Sequence, residues 1–156
     1  MLQPAIEILD SHRMMAISTV RPDGWPQTTV VGYANQGWSI YFMIFRDSQK
    51  FQNIKHDDRV SIAVSREPDF LSDIRAVYAG AHAAEVTDPN ERAQAFQILM
   101  QRHPNLGDYG PPDDAVTALM RASCKYVSVL DYSKGIGHSE ALVVGSDGAE
   151  VQGKAD

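Results

Sequence analysis

Apolar positions along this chain fall into short runs, and their spacing alternates between a helical and a strand period. Ala5, Ile8 and Leu9 recur on one helical face behind Pro4, so Pro4–His12 predicts a short helix. MMAISTV (Met14–Val20) predicts a strand, and RPDGW (Arg21–Trp25) a turn built on Pro and Asp-Gly. QTTVVGYA (Gln27–Ala34) is rich in β-branched residues and predicts a second strand. NQG (Asn35–Gly37) reads as a tight turn, and WSIYFMIF (Trp38–Phe45) as a strand apolar enough to be buried on both faces. Three strands joined by short turns predict an antiparallel meander.

Ser48–His56 then predicts a helix, with Phe51 and Ile54 one turn apart. VSIAVS (Val60–Ser65) predicts a strand, Glu67–Asp73 a loop, and RAVYAGAHAAEVT (Arg75–Thr87) a long strand. Gly80 within that strand marks a bend or a close backbone approach. Asp88 and Pro89 open a helix to about His103, with Ala93, Phe96, Leu99 and Met100 as its apolar stripe. A loop over His103–Pro112 leads to a short helix over Asp113–Arg121, and Lys125–Tyr132 is the last predicted strand. The glycine-rich SKGIGHSEAL follows it. Antiparallel connections with helices at the side predict the α+β class, as an antiparallel split β-barrel with flanking helices. No βαβ alternation, GxGxxG or Walker motif points to a nucleotide-binding α/β fold.

Composition narrows this picture. The 156 residues suit a single domain over 1–145, with the small, polar segment 146–156 expected to be a flexible tail. A net charge of -6 argues against general nucleic-acid binding. The single cysteine, Cys124, excludes an intrachain disulfide, and no histidine pair has metal-ligand spacing, so no metal is expected. The first residues lack a basic start followed by a long apolar run, and no apolar run reaches the roughly 18 residues of a membrane span. A cytoplasmic protein without membrane or nucleic-acid partners is the expectation.

The chemistry concentrates in FRDSQKFQNIKHDDRV (Phe45–Val60). Arg46, Ser48 and Lys50 stand at a helix N-terminus, which already carries partial positive charge and disfavours cations. With Ser48 as N-cap, first-turn amides, a hydroxyl and the Lys50 ammonium make a phosphate cradle. The same residues also read as a capped surface helix with solvated charges. Phe51 stands where a capping box would place Glu or Gln.

From Met14 to Ser65 the chain resembles the FMN-binding split barrels of the pyridoxamine 5'-phosphate oxidase-like family. The features that carry the resemblance are MAISTV, RPDGWPQ, TTVVGY, IYFMIFRDS and SQKFQNIKHDDRVSIAV in that order, with RAVYAGAHAAEVTD following more loosely. The resemblance implies a homodimer with two FMN sites at the subunit interface. Ser48 and Lys50 would hold the phosphate, assisted by Gln49, where the family often has Arg, and by Arg46 as a substitute cation. Thr28, Thr29, Val30 and Ile44 would line the flavin, and Arg75 falls near a family position that reaches it. An Arg near Thr28 and a hydroxyl near Ile44, common in true pyridoxamine phosphate oxidases, are missing, which disfavours the vitamin B6 reaction more than FMN.

His138 lies in a glycine-rich segment of the kind that carries functional histidines, or is surface decoration. It suits capping a partner subunit's flavin, donating a proton or ligating haem. His12 and His56 sit at helix ends, where a dipole role suffices. The sequence thus supports an FMN-binding oxidoreductase acting on a small molecule, its catalytic residues unassigned. The alternative is a non-catalytic flavin or haem carrier, and deazaflavin remains open as the cofactor.

Overall fold

The computed structural model describes residues 3–145 and the two-residue strand Glu150–Val151. The helix Gln3–Ser11 (α1) buries Ala5, Ile8 and Leu9, the face its spacing predicts. Met14–Val20 (β1) alternates residue by residue, with Met15, Ile17 and Thr19 buried. It pairs with Pro26–Gly32 (β2) across the Arg21–Trp25 turn, where Gly24 takes a φ of 85°. Trp25 stands exposed at the tip of this hairpin.

Beyond Gly32 the chain departs from the expected meander. Asn35 and Gln36 are not turn residues but belong to a short strand, Ala34–Gln36 (β3), which pairs with Ser39–Phe45 (β4). Gly37, with a φ of 57°, supplies the left-handed residue of the turn itself. β4 pairs with β3 and with the distant strand Thr117–Asp131 (β7), and not with β2. Tyr33 sets this break. Its ring is fully buried, and its hydroxyl donates to the Leu9 carbonyl at 2.6 Å, anchoring the chain under α1.

The helix Gln49–His56 (α2), the strand Arg59–Ser65 (β5) and the strand Arg75–Glu85 (β6) follow as the spacing predicts. β6 is irregular after Gly80, where a Cβ would meet the Tyr126 ring at 3.1 Å. That is the expected close approach. The helix Pro89–Arg102 (α3) is capped by Asp88, whose carboxylate accepts from the Glu91 amide. Its inward residues are Ala95 and Leu99, with Phe96 and Ile98 half-buried. Ala93 and Met100 are exposed, so the expected stripe is rotated. α3 packs on Tyr41, Leu119 and Val86, outside the barrel, which selects this face.

No helix forms over Asp113–Arg121. Asp113 caps a turn, accepting from the Ala115 amide at 2.9 Å, and β7 begins at Thr117. The helix-forming residues Ala118, Leu119 and Met120 are drawn into the sheet because β4 and β6 offer ladders on both sides. β7 is long enough to serve two neighbours on one edge. Residues 117–123 pair with β4, and residues 126–130 pair with Ser139–Val144 (β8). This division is the split of the barrel. The expected tail 146–156 lies outside the described residues, apart from Glu150–Val151 (β9), which pairs with β8.

The antiparallel sheet runs β2-β1-β5-β6-β7-β4-β3, with β8 and β9 attached at β7. Side chains from β1, β4, β5, β6 and β7 meet in one buried cluster with α1 and α2, so the sheet curls on itself. Within it, buried Asn53 donates to Thr19 Oγ1 at 3.0 Å and to Gln27 Oε1 at 3.2 Å, tying α2 to the β1–β2 hairpin. Cys124 is a small buried residue, and burial pushes its thiol up to about 12. Among the described residues no helix is long and apolar enough to cross a membrane.

Candidate functional site

β4 delivers the chain to the start of α2, and Ser48 caps that helix. Its hydroxyl accepts from the Phe51 amide at 3.2 Å and donates to the Phe45 carbonyl at 2.6 Å. The amides of Gln49 and Lys50 precede the first intrahelical acceptors and have no helical partner. Lys50 is half-buried, and its ammonium donates to Thr29 Oγ1 at 3.2 Å. No carboxylate among the described residues lies within ion-pair distance of it, and burial pushes its pKa down. A half-buried, unpaired cation beside free amides is an arrangement that an anion relieves.

The other expected phosphate partners are occupied. The Arg46 guanidinium pairs with Glu85, donates to the Asp114 carbonyl at 2.6 Å and lies 5.7 Å from the centre of the Phe51 ring. It therefore neutralises Glu85 instead of adding free charge to the cradle. The Gln49 side chain donates through Nε2 to Asn53 Oδ1 at 2.8 Å, which holds it along its own helix. The cradle rests on one cation, not on several. Ile44 is buried in the barrel core and also lines the neighbouring cleft.

That cleft, of about 570 Å³, lies between β4, α3 and the loop 103–112. Phe45, Phe96, Leu106, Tyr109 and Pro112 line it, with Lys50 at one side. Gly110, with a φ of 76°, lets the loop turn between Tyr109 and Pro111. The size and apolar lining suit an organic ring system with few polar contacts. Sequence reasoning located this loop and Phe96 but not their meeting, because the cleft exists only once β4 leaves β2 for β7.

A second surface is assembled by strand register. Thr28, Ser18, Ser61, Gly80, Tyr126 and Val143 form one row across β2, β1, β5, β6, β7 and β8. Val30, Ala16, Ala63, Tyr78, Ser128 and Ala141 form the next. None of these positions is charged, in a chain with 22% charged residues. Val30, Tyr78 and Tyr126 are 67%, 45% and 57% exposed, so large apolar side chains stand in solvent here. A depression of about 580 Å³ lies on this face. The strand period divides the three expected β2 residues. Thr28 and Val30 belong to this outer face, whereas Thr29 points inward to Lys50.

Arg75 and His138 do not join Lys50 within one chain. Arg46 contacts Glu85 at the C-terminal end of β6, and Arg75 begins that strand ten residues earlier. At about 3.3 Å per residue they are roughly 30 Å apart. Arg75 also shares the core-side alternation of Val77 and Ala79, and its Nε lies 3.8 Å from Asp131. His138 sits at the same far end. Its carbonyl accepts from the Asp131 amide at 3.0 Å, and its Nε2 lies 3.5 Å from Glu140.

Residues 2–130 match the sequence model of a family described as pyridoxamine 5'-phosphate oxidase. No curated protein matches the sequence. Solved structures share the fold at low identity. A haem-binding protein from Mycobacterium smegmatis superposes with a TM-score of 0.76 at 19% identity, over 92% of this chain. This chain spans only 59% of that protein's length. A conserved hypothetical protein from Mycobacterium tuberculosis gives 0.71 at 24% identity, over 94% of both chains. A FAD-binding protein from Mesorhizobium loti gives 0.66 at 18% identity, over 83% of this chain and 93% of its own.

Proposed function

This chain belongs to the pyridoxamine 5'-phosphate oxidase family, and we propose that it is an FMN-dependent oxidoreductase acting on a small organic molecule. The observation that carries the proposal is Lys50, a half-buried ammonium with no carboxylate partner among the described residues, beside the free amides of a helix N-terminus. A phosphate monoester supplies what that site lacks. The residues present fit FMN, though with fewer cations than the sequence suggests, because Glu85 and Asn53 hold Arg46 and Gln49. Bound flavin supplies the electron-transfer chemistry itself.

The chain's own residues bind and orient. Lys50 and the first amides of α2 fix the phosphate end. Thr29 positions the Lys50 ammonium, and Ser48 holds the helix start in shape through its two hydrogen bonds. Phe45, Phe96 and Tyr109 give the cleft beside the phosphate end an apolar lining. The uncharged outer face suits burial against a second copy, and its hydroxyls from Ser18, Thr28, Ser61 and Ser128 suit a polar ring edge. A two-fold axis on this face brings the His138 end of one subunit toward the Lys50 end of the other. His138 then closes a site that a single chain leaves open.

The test is an FMN titration followed by absorption and fluorescence, then anaerobic addition of reduced nicotinamide cofactor or candidate substrates. Saturable quenching near one FMN per subunit, with bleaching on reduction, is the expected result. Flavin bound tightly but never reduced by any donor supports the carrier reading. A haem absorption band with no flavin binding overturns FMN as the cofactor.

A further inference from the structure

At the end of the barrel remote from Lys50, two arginines line one cleft. The β5–β6 register pairs Val64 with Val77 and Ser65 with Ala76. Continued by one residue, it sets Arg66 opposite Arg75. Both follow the core-side alternation, after Val60, Ile62 and Val64 on one strand and before Val77 and Ala79 on the other. Like charges directly across an antiparallel pair are destabilising. Both arginines open into a cleft of about 420 Å³ under α1, together with Glu7, Ser11, His12 and Asp73. Among the described residues no carboxylate lies within 4 Å of Arg66, and Arg75 has only Asp131, at 3.8 Å.

His12 adds an independent observation. Its Nδ1 donates to the Ile8 carbonyl at 2.7 Å, which fixes the ring. Its Nε2 is buried and has no hydrogen-bond partner. Buried polar atoms in folded proteins are almost always paired. His12, Ser11 and the two arginines line one cavity.

We propose that this cleft is a binding site for a small oxyanion, a carboxylate or a phosphate, held between Arg66 and Arg75, with His12 Nε2 accepting from a ligand hydroxyl or from a water that enters with the anion. The anion removes the repulsion between the arginines, and its hydroxyl or accompanying water gives the buried nitrogen its donor. Glu7 and Asp73 bring the lining close to neutral, so the site selects a small anion over a polyphosphate. Within one chain the site is separate from the Lys50 cradle, since it lies at the opposite end of β6. It also accounts for Arg75, which does not reach the Lys50 region of its own chain.

The experiment is calorimetric titration of the full chain with succinate and, separately, with inorganic phosphate, in wild type, Arg66→Gln, His12→Gln and Lys50→Ala. The expected result is saturable binding of one of the two probes to wild type and to Lys50→Ala. Arg66→Gln weakens it by about ten- to hundredfold, the loss of one charge-assisted contact. Stronger binding of succinate assigns the site to carboxylates, and stronger binding of phosphate assigns it to phosphates. Equal affinity in wild type and Arg66→Gln overturns the proposal, as does failure of both probes to bind wild type. Circular dichroism shows that each variant is folded, and FMN affinity unchanged in Arg66→Gln separates this site from the cofactor site.

Discussion

Replacing Lys50 with Ala tests the cradle where the structure makes it most exposed to failure. Lys50 is its one free cation among the described residues, because Arg46 is paired with Glu85. A hydrogen bond to a charged group is worth about 1.5–3 kcal/mol, so the variant should bind FMN roughly ten- to 150-fold more weakly. The unliganded protein should respond in the opposite direction. Burial lowers the Lys50 pKa, so the folded state binds its proton less readily than the unfolded chain does. The Lys50 contribution to folded stability therefore rises with pH between that depressed pKa and the ordinary lysine value of about 10.4. Lys50→Ala removes this term, so the stability difference between wild type and variant should shift in favour of wild type as pH rises. FMN affinity of wild type should fall as pH rises through the same range, since a neutral amine is a poorer phosphate partner. Fluorescence titration of FMN and urea unfolding, each at several pH values, read both effects. Equal FMN affinity in wild type and variant refutes the phosphate cradle.

Three further outcomes follow from named contacts. Glu85→Gln releases Arg46 from its ion pair and should tighten FMN binding, most visibly at low salt, while costing less than about 1 kcal/mol of stability because the pair is partly exposed; an unchanged Kd at low salt would show that Arg46 does not reach the phosphate. Ala63→Asp puts a charge in the middle of the uncharged face and should give a monomer of 17.2 kDa in light scattering, with FMN affinity lost; a dimer that persists places the interface elsewhere. Asn53→Ala removes the buried donor to Thr19 and Gln27 and should cost about 1–3 kcal/mol in urea unfolding; a loss well under that would mean that water replaces the amide.

Local chemistry was legible in the sequence, and long-range pairing was not. The caps at Ser48 and Asp88, the β1–β2 hairpin and the close approach at Gly80 depend on residues near each other in the chain, or on the lack of a single side chain. The partner of β4 depends on β7, more than 70 residues later, and nothing in WSIYFMIF distinguishes β2 from β7 as a neighbour. Ala118, Leu119 and Met120 favour helix in isolation and become strand because two ladders receive them. The same limit applied to the site. Ser48 and Lys50 were readable because a helix start is local. Glu85 as the partner of Arg46, and Arg66 as the neighbour of Arg75, required the register of β5, β6 and β7.

The separation of Lys50 and His138 within one chain leads to a test of the assembly. If the site is shared, each cofactor position takes Lys50 from one subunit and His138 from its partner. A Lys50→Ala chain and a His138→Ala chain are then each defective at both sites of their own homodimers. Mixed dimers differ. One site inherits both substitutions, and the other inherits neither. Random reassociation of equal amounts makes about half of the dimers mixed, so about a quarter of all sites regain the native residue set. Fluorescence titration should resolve that quarter as a high-affinity class absent from either variant alone. The class appears only after subunits exchange, so its growth rate should follow the exchange rate measured by mass. If His138 acts within its own subunit, mixing creates no site lacking both substitutions beyond those the variants already hold, and the high-affinity class never appears. If His138 has no role, His138→Ala alone binds FMN like wild type before any mixing. The two failures are thus distinct, and the second leaves the Lys50 cradle standing.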